Sequence, residues 1–258
     1  MTETTARPEE TVLPHTIRRV RHETRRRALT VTATKMLTPR MKRVHLAGDM
    51  EGFASLGADD HIKLFFADTA GGTAMRDFTP RAFNVAAGTI VIDFALHEAG
   101  PATSWAAIAE PGATLEIGGP RGSAVVPDDF DWYWLIGDET ALPAIGRWVE
   151  GLRAGVPVLT AVAIGSRAER QAFATSALWT GLWAERDVDG GDDAATLLRL
   201  LDSQALPTGD GFVFIAAEST VARALKARIA ERGHPKASIK AAGYWKRGEA
   251  DAHERIED

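Results

Sequence analysis

A chain of 258 residues with 30 Lys and Arg against 35 Asp and Glu carries a formal net charge of -5, which argues against nucleic acid as its main partner. It contains no cysteine, which excludes disulfides, thiolate nucleophiles and iron–sulfur clusters of the usual type; any electron transfer has to run through an organic cofactor or directly to a bound metal chelate. The length suits one large or two modest domains with a sizeable core.

Residues 1–27 are polar and carry Arg18, Arg19, Arg21, Arg25, Arg26 and Arg27 without an apolar segment. They read as a solvated, partly disordered lead-in, with a weak anion or membrane-surface patch as the other reading. Neither a signal peptide nor a membrane-inserted span is visible, so the chain reads as cytoplasmic.

From Ala28 to about Val126, short alternating runs are separated by turn residues. Strands are expected at Leu29 to Met36, Met41 to Ala47, Ile62 to Ala67, Ala82 to Val85, Ile90 to Leu96 and Thr114 to Ile117, with one helix at Ala102 to Ala109. This spacing predicts a small antiparallel barrel over residues 28–127. Within it, Met75-Arg76-Asp77-Phe78-Thr79-Pro80-Arg81 joins an aromatic ring, a hydroxyl and two guanidiniums. On an extended segment Arg76 and Phe78 share one face, and Asp77 and Thr79 the other. A stacking ring, a hydrogen-bonding hydroxyl and a bidentate arginine clamp suit a flavin dinucleotide. The same heptapeptide would also serve as a charged surface strand.

The following strand places Ile90, Ile92, Phe94 and Leu96 on one face and Asp93 and His97 on the other, then breaks at Gly100-Pro101. The helix after it opens with Ala102, Thr103 and Ser104, whose free backbone N–H groups could take a phosphate; Thr103 and Ser104 could equally be plain caps.

After Pro127-Asp128-Asp129 the pattern changes. Trp132 to Ile136, Val156 to Ile164 and Phe212 to Ala216 are continuous apolar runs, alternating with helical stretches at Ala141 to Arg153, Ala194 to Leu201 and Thr220 to Arg232. That is an α/β layer with buried parallel strands over residues 128–258. Leu135 to Pro143 forms a strand, a loop and a helix start but lacks the second and third glycines of the dinucleotide fingerprint; Thr140 as N-cap with Pro143 in the first turn is its plain reading. Ser166, Arg167 and Arg170 follow the next strand, and a hydroxyl with two arginines there suits a ribose 2′-phosphate, favouring NADPH over NADH, although Glu169 weakens the field. His15, His22, His45, His61, His97, His234 and His253 show no ligand spacing, so no protein metal site is expected.

Taken together these blocks resemble the siderophore-interacting proteins, a branch of the ferredoxin-reductase-like flavoproteins. The resemblance rests on Leu37 to Val44, Asp60 to Phe66, Arg76 to Arg81, Asp93 to His97 with Gly100 to Ala102, Gly119 to Gly122, Gly137 to Ile145, Ala217-Glu218 and Gly243 to Gly248. It implies a Greek-key flavin-binding β barrel followed by an α/β NAD(P)-binding domain, and NAD(P)H-driven reduction of a ferric siderophore. It further implies FAD on Arg76, Phe78, Thr79, Arg81, Asp93, Phe94, His97, Gly100, Ala102, Thr103, Ser104, Trp105 and Trp245, and NADPH on Gly137, Thr140, Ala141, Pro143, Ser166, Arg167, Arg170 and Glu218. Lys246 and Arg247, with Lys63 and Lys240, are the candidates to attract an anionic chelate, and no side chain is assigned a catalytic role of its own. The family usually has tyrosine where this chain has Phe78, which keeps the stacking face and loses the phenol. Two other classes fit the same residues: a siderophore-binding or iron-chaperone module without catalysis, and a general flavin or ferredoxin-type reductase with a protein acceptor.

Overall fold

The computed structural model describes residues 15–67, 72–97, 100–249 and 254–256. Its first large sheet has seven strands in the order β5-β4-β8-β2-β3-β7-β6. They are β2 (Arg26–Thr38), β3 (Met41–Gly48), β4 (Ile62–Ala67), β5 (Thr73–Phe78), β6 (Pro80–Asn84), β7 (Thr89–Ala95) and β8 (Thr114–Gly118), all antiparallel. Alternation along these strands sends Leu29, Val31, Val44, Leu46, Ile62, Leu64, Phe66, Ile90, Ile92, Phe94, Leu115 and Ile117 into one core. Helix α1 (Pro101–Ile108) lies against that core through Ala102 and Ala106.

Against the expectation of a partly disordered lead-in, the described part of it is ordered. β1 (Arg18–Arg21) pairs antiparallel with β9 (Gly122–Val125). Just before it, the His15 ring stacks on Phe130 at 4.2 Å, and its two ring nitrogens lie 2.9 Å from Asp129 and 3.2 Å from Asp210. Ile17 packs against the core beneath, so an apolar anchor and carboxylates order the backbone while Arg18, Arg19 and Arg21 stay exposed. Arg27 is itself buried, donating to the carbonyl of Glu51 at 2.7 Å. Residues 1–14, and His253 among the histidines, lie outside the described residues.

The second sheet has six strands in the order β12-β11-β10-β13-β14-β15. They are β10 (Trp132–Asp138), β11 (Pro157–Ile164), β12 (Leu178–Glu185), β13 (Gly211–Glu218), β14 (Ile239–Trp245) and β15 (Glu254–Arg255). All neighbours are parallel except β14 with β15. The helices are α2 (Leu142–Gly151), the short α3 (Arg186–Asp189), α4 (Asp193–Asp202) and α5 (Ser219–Glu231). Tyr133, Leu135, Val162 and Phe214 pack on the α2 side, and Trp134, Ile136, Ala161 and Ile215 on the α4 and α5 side. Both faces are covered, so the strands read as unbroken apolar runs. No helix among the described residues is long and apolar enough to cross a membrane.

Candidate functional site

The two sheets meet along a junction held by five polar links, with the carboxyl end of β14 at the corner between β5 and β6. The Tyr244 phenol is hydrogen-bonded to the Thr79 side chain. Lys240 Nζ lies 2.6 Å from Asp59 Oδ2. Arg147 donates from Nη1 to Ser55 Oγ at 3.0 Å and from Nη2 to the Ser55 carbonyl at 3.1 Å. Arg81 Nη2 donates to Glu150 Oε1 at 2.6 Å. Finally, Glu169 Oε2 accepts from Thr38 Oγ1 at 2.5 Å and from the Arg40 N–H at 3.2 Å.

On the barrel side, Phe78 is half-buried and its ring lies 4.6 Å from that of Phe94. Phe94 is 1% exposed and is backed in turn by Trp105 at 5.6 Å. Phe94, one of the rings expected to touch flavin, is therefore core and supports Phe78 from behind, while Trp105 is half-buried against the same core. Arg76 is half-buried, with Nη1 folded onto the Met75 carbonyl at 2.7 Å. Arg81 is engaged elsewhere: besides Glu150, its Nε lies 3.8 Å from Asp93 Oδ2, and Asp93 takes a bidentate pair from Arg43 at 2.7 Å to each oxygen. The cause is tertiary. Helix α2 packs on β6, bringing Glu150 in, and glycine at 146 leaves the space, since a Cβ there would stand 3.0 Å from Arg81 Nη2. The two-arginine clamp expected from the sequence thus reduces to Arg76, with Asp93 holding the strands together.

Helix α1 starts after Gly100, whose φ of 130° few other residues adopt, and no side chain caps it. Ser104 is exposed, and the Thr103 hydroxyl is buried without a hydrogen-bond partner. Buried hydroxyls are normally paired, so this orphan beside open backbone N–H groups marks a place for an acceptor such as a phosphate oxygen. The exposed His97 comes close, with Cε1 3.5 Å from where a Cβ on Gly100 would stand. Stacking ring, Arg76 and uncapped helix start fit FAD, whereas Thr79 is buried with its side chain bonded to Tyr244.

On the α/β side, Gly137 permits a close crossing: a Cβ there would lie 2.3 Å from the Ala216 carbonyl oxygen and 2.6 Å from the Ala141 Cβ. Asp138 follows, 2% exposed. Its Oδ1 accepts from the Thr140 N–H at 2.9 Å and hydroxyl at 2.5 Å, and its Oδ2 from the Glu218 N–H at 3.0 Å and Trp245 Nε1 at 2.8 Å. Burial, with the charge of Glu139, pushes the Asp138 carboxyl up to about 6 against these donors. Thr140 is therefore not the N-cap of α2; Ala141 occupies that position, and no side chain bonds there. Ala141 and Pro143 are buried, which leaves only backbone to face a ligand.

Glu218 caps α5, with Oε2 accepting from the N–H groups of Thr220 at 2.7 Å and Val221 at 3.2 Å, and Oε1 from that of Arg247 at 3.3 Å. Burial alone would raise its pKa, but the donors from Val221, Arg247 and Thr220 outweigh it and hold the carboxyl below its ordinary range. A ligand role for Glu218 gives way to this structural one. Beyond β11, Arg167 opens a single 3-10 turn and is exposed, whereas Arg170 is paired with Glu185 at 2.5 Å. The Glu169 carboxylate that threatened the field is buried against the β2–β3 hairpin. Among the chelate candidates Lys63 pairs with Asp77 at 2.8 Å, Lys240 with Asp59, and Lys246 with Glu249, leaving Arg247 as an exposed guanidinium of the group. No cluster of three His, Cys, Asp or Glu among the described residues is placed to hold a metal ion.

Asp138, Tyr244 and Arg147 were not assigned these junction roles by sequence. The signal for Asp138 was there: a carboxylate ending an unbroken apolar strand has to be paired or neutral.

The chain is similar to known proteins over most of its length. The family described as siderophore-interacting protein matches residues 130–248, and the siderophore-interacting FAD-binding domain matches residues 30–74 and 68–124. The NADPH-dependent ferric-chelate reductase of Escherichia coli (strain K12) is 32% identical over 254 residues, covering 90% of this chain and 97% of that protein. The crystal structure of a siderophore utilization protein from T. fusca superposes with a TM-score of 0.84 at 32% identity, covering 92% of this chain and 98% of the other. The cytochrome b5 reductase domain of Ulva prolifera nitrate reductase shares the fold, with a TM-score of 0.64 at 12% identity over 83% of this chain and 96% of that domain.

Proposed function

The chain belongs to the siderophore-interacting proteins, and from that premise we propose that it is a flavoprotein reductase using NADPH to reduce the iron of a ferric siderophore. FAD, when bound, supplies the conversion between a two-electron hydride donor and a one-electron ferric acceptor. The observation that carries the reading is the convergence, at one junction, of a cradle fitted to a dinucleotide and the carboxyl ends of a parallel sheet, where open α/β folds take their ligands.

Phe78 offers the stacking face, Arg76 a phosphate contact, and the uncapped start of α1 with Thr103 a second one. The Gly137 to Thr140 loop and Ser166 to Arg170 take the nicotinamide nucleotide, with Arg167 as the principal contact for a 2′-phosphate and hence for a preference over NADH. We take residue 128 as the boundary between the two binding units. Arg247, with Lys246, draws in an anionic chelate. Ferrous iron binds hard oxygen ligands less strongly than ferric, so reduction loosens the metal from its carrier. We place the reaction in the cytoplasm.

The test is the absorption spectrum of the purified protein before and after anaerobic NADPH, then after a ferric chelate. Yellow protein that bleaches with NADPH and recovers with chelate is the expected result. Failure to bleach would leave a binding module, and recovery only with a protein acceptor would leave a general reductase.

A further inference from the structure

The two large sheets end in β5 and β6 on the barrel and in β12 and β15 on the α/β layer. An edge strand exposes unpaired backbone groups, and folded proteins blunt it with charge, proline or shortness. Three of these edges are blunted: β5 carries Arg76 and Asp77, β6 opens on Pro80 and carries Arg81, and β15 is two residues long. β12 is not. It has eight residues, and Leu178 to Ala184 holds neither a charge nor a proline. Glu185, its only charge, is taken by Arg170 at 2.5 Å, and Leu178 at the other end is 64% exposed.

Hydrogen bonds define the free side of this strand. The Leu178 N–H donates to the Val156 carbonyl at 2.9 Å, so even-numbered residues turn their backbone groups toward β11 and odd-numbered ones turn theirs outward. Of the outward N–H groups, that of Trp179 bends back to the Ala177 carbonyl at 3.0 Å and that of Glu185 to Asp189 Oδ2 at 2.9 Å. Among the described residues no bond takes up the outward groups of Gly181 and Trp183.

We propose that two copies of this chain pair through β12, antiparallel about a twofold axis at Gly181, and so join their α/β sheets into one. The strand is complementary to itself. A twofold normal to the sheet keeps each face continuous, so it passes through a residue and not between two. Gly181 is the midpoint of the uncharged run. About that axis Trp179 of each copy lies opposite Trp183 of the other on the α2 face. On the α4 and α5 face Thr180 lies opposite Leu182, and Leu178 opposite Ala184. Gly181 then bonds to its own copy, and Trp183 to the Trp179 backbone. Moving the axis to Leu182 would set Trp179 against Glu185, and moving it to Thr180 would separate the tryptophans. Because β11, β10 and β13 lie between β12 and β14, the pairing leaves the flavin and coenzyme sides open and is independent of the proposed reaction.

Sedimentation equilibrium of the purified full-length chain is the first test. The mass should rise from one chain toward two between about 1 and about 100 µM, as for a small, weak interface. Thr180→Lys puts an ammonium on the exposed edge and should weaken the dimer at least about tenfold, with the denaturation midpoint of the dilute protein unchanged. The chain has no cysteine, so Gly181→Cys supplies a single thiol on the axis. Opposed residues of an antiparallel pair stand about 4.5–5.5 Å apart, and oxidation with diamide should therefore link it to its own copy. Leu178→Cys, whose two thiols would lie about 20 Å apart, should link far more slowly. A wild type that stays monomeric at every concentration leaves the edge to an extended peptide or to the terminal residues of the same chain, and overturns the proposal. So does a dimer that withstands Thr180→Lys, or one in which Leu178→Cys links as fast as Gly181→Cys.

Discussion

Along its first six residues β2 of the barrel alternates exposed and buried, whereas every residue of β10 and β13 is buried. The barrel therefore keeps one face of its strands clear of the core, whereas Arg76 and Phe78 lie on the core-facing side of the edge strand β5, opposite Leu64 and Ile62. In the α/β half, helices cover both faces, and what is left for a ligand is the backbone and the loops where the strands end. The same kind of substitution should thus act differently in the two halves: as a change of ligand binding in the barrel, and as a change of fold stability in the α/β layer.

The strongest challenge to this contrast is Gly137→Val. Its new side chain would meet the Ala216 carbonyl, a backbone atom of the neighbouring strand that cannot turn aside. We expect a loss of about 3 kcal/mol or more in chemical denaturation. A wild-type midpoint would show that the strand ends are looser than the packing implies.

Arg81→Ala and Arg76→Ala sharpen the comparison, because both residues belong to the barrel and only one is bound into the junction. Removing Arg81, whose side chain is 10% exposed between Asp93 and Glu150, should cost about 2 kcal/mol of stability; half-exposed Glu150 and the remaining Arg43 partner keep the loss below that of a fully isolated charge. Arg76→Ala should leave stability within about 0.5 kcal/mol. Its FAD dissociation constant should rise about tenfold, equivalent to about 1.4 kcal/mol. If the two variants exchanged phenotypes in denaturation and flavin titration, the assignment of clamp and tie would be reversed.

Strand positions were legible in the sequence wherever burial alone decided them. Ile62 to Ala67 is recovered with the same limits, and β3, β7 and β8 shift by a residue or so at an end. The edge strand β12 escaped, because one side of it has no neighbouring strand and its burial pattern is broken by Thr180 and Gly181. β1 escaped because arginines hide a strand whose pairing partner lies a hundred residues away in the chain. Site residues failed for a related reason. The motif around Arg81 names a guanidinium but not the carboxylate that claims it, and Glu150 comes from another element 69 residues later. Asp93, Arg170 and Lys240 were captured by such partners in the same way.

Smaller effects are expected where ligands meet the α/β loops. Arg167→Ala should raise the Michaelis constant for NADPH about fivefold and leave that for NADH nearly unchanged, the mark of lost charge pairing with a 2′-phosphate. Arg170→Ala should do less, since Glu185 already holds that guanidinium. Equal losses with both coenzymes would assign Arg167 a structural role. Smallest of all, a Lys246→Ala, Arg247→Ala double variant should slow reoxidation by an anionic ferric chelate about threefold at low ionic strength, with the difference fading in salt. A collapse of the NADPH half-reaction instead would put these residues on the nucleotide side.

The carboxylate of Glu169, seated on Thr38 and Arg40, has a consequence for anyone recombining relatives of this protein. The turn bearing Arg167 and Arg170 is anchored in the barrel hairpin as well as in its own sheet, where Arg170 meets Glu185, so on the proposed reading coenzyme choice would be inherited partly through the flavin-binding half. A hybrid that joined this barrel to the nucleotide half of a cousin lacking the glutamate would leave the Thr38 hydroxyl and the Arg40 N–H without their acceptor. Its discrimination between the two coenzymes would then blur although every residue facing the nucleotide had been kept.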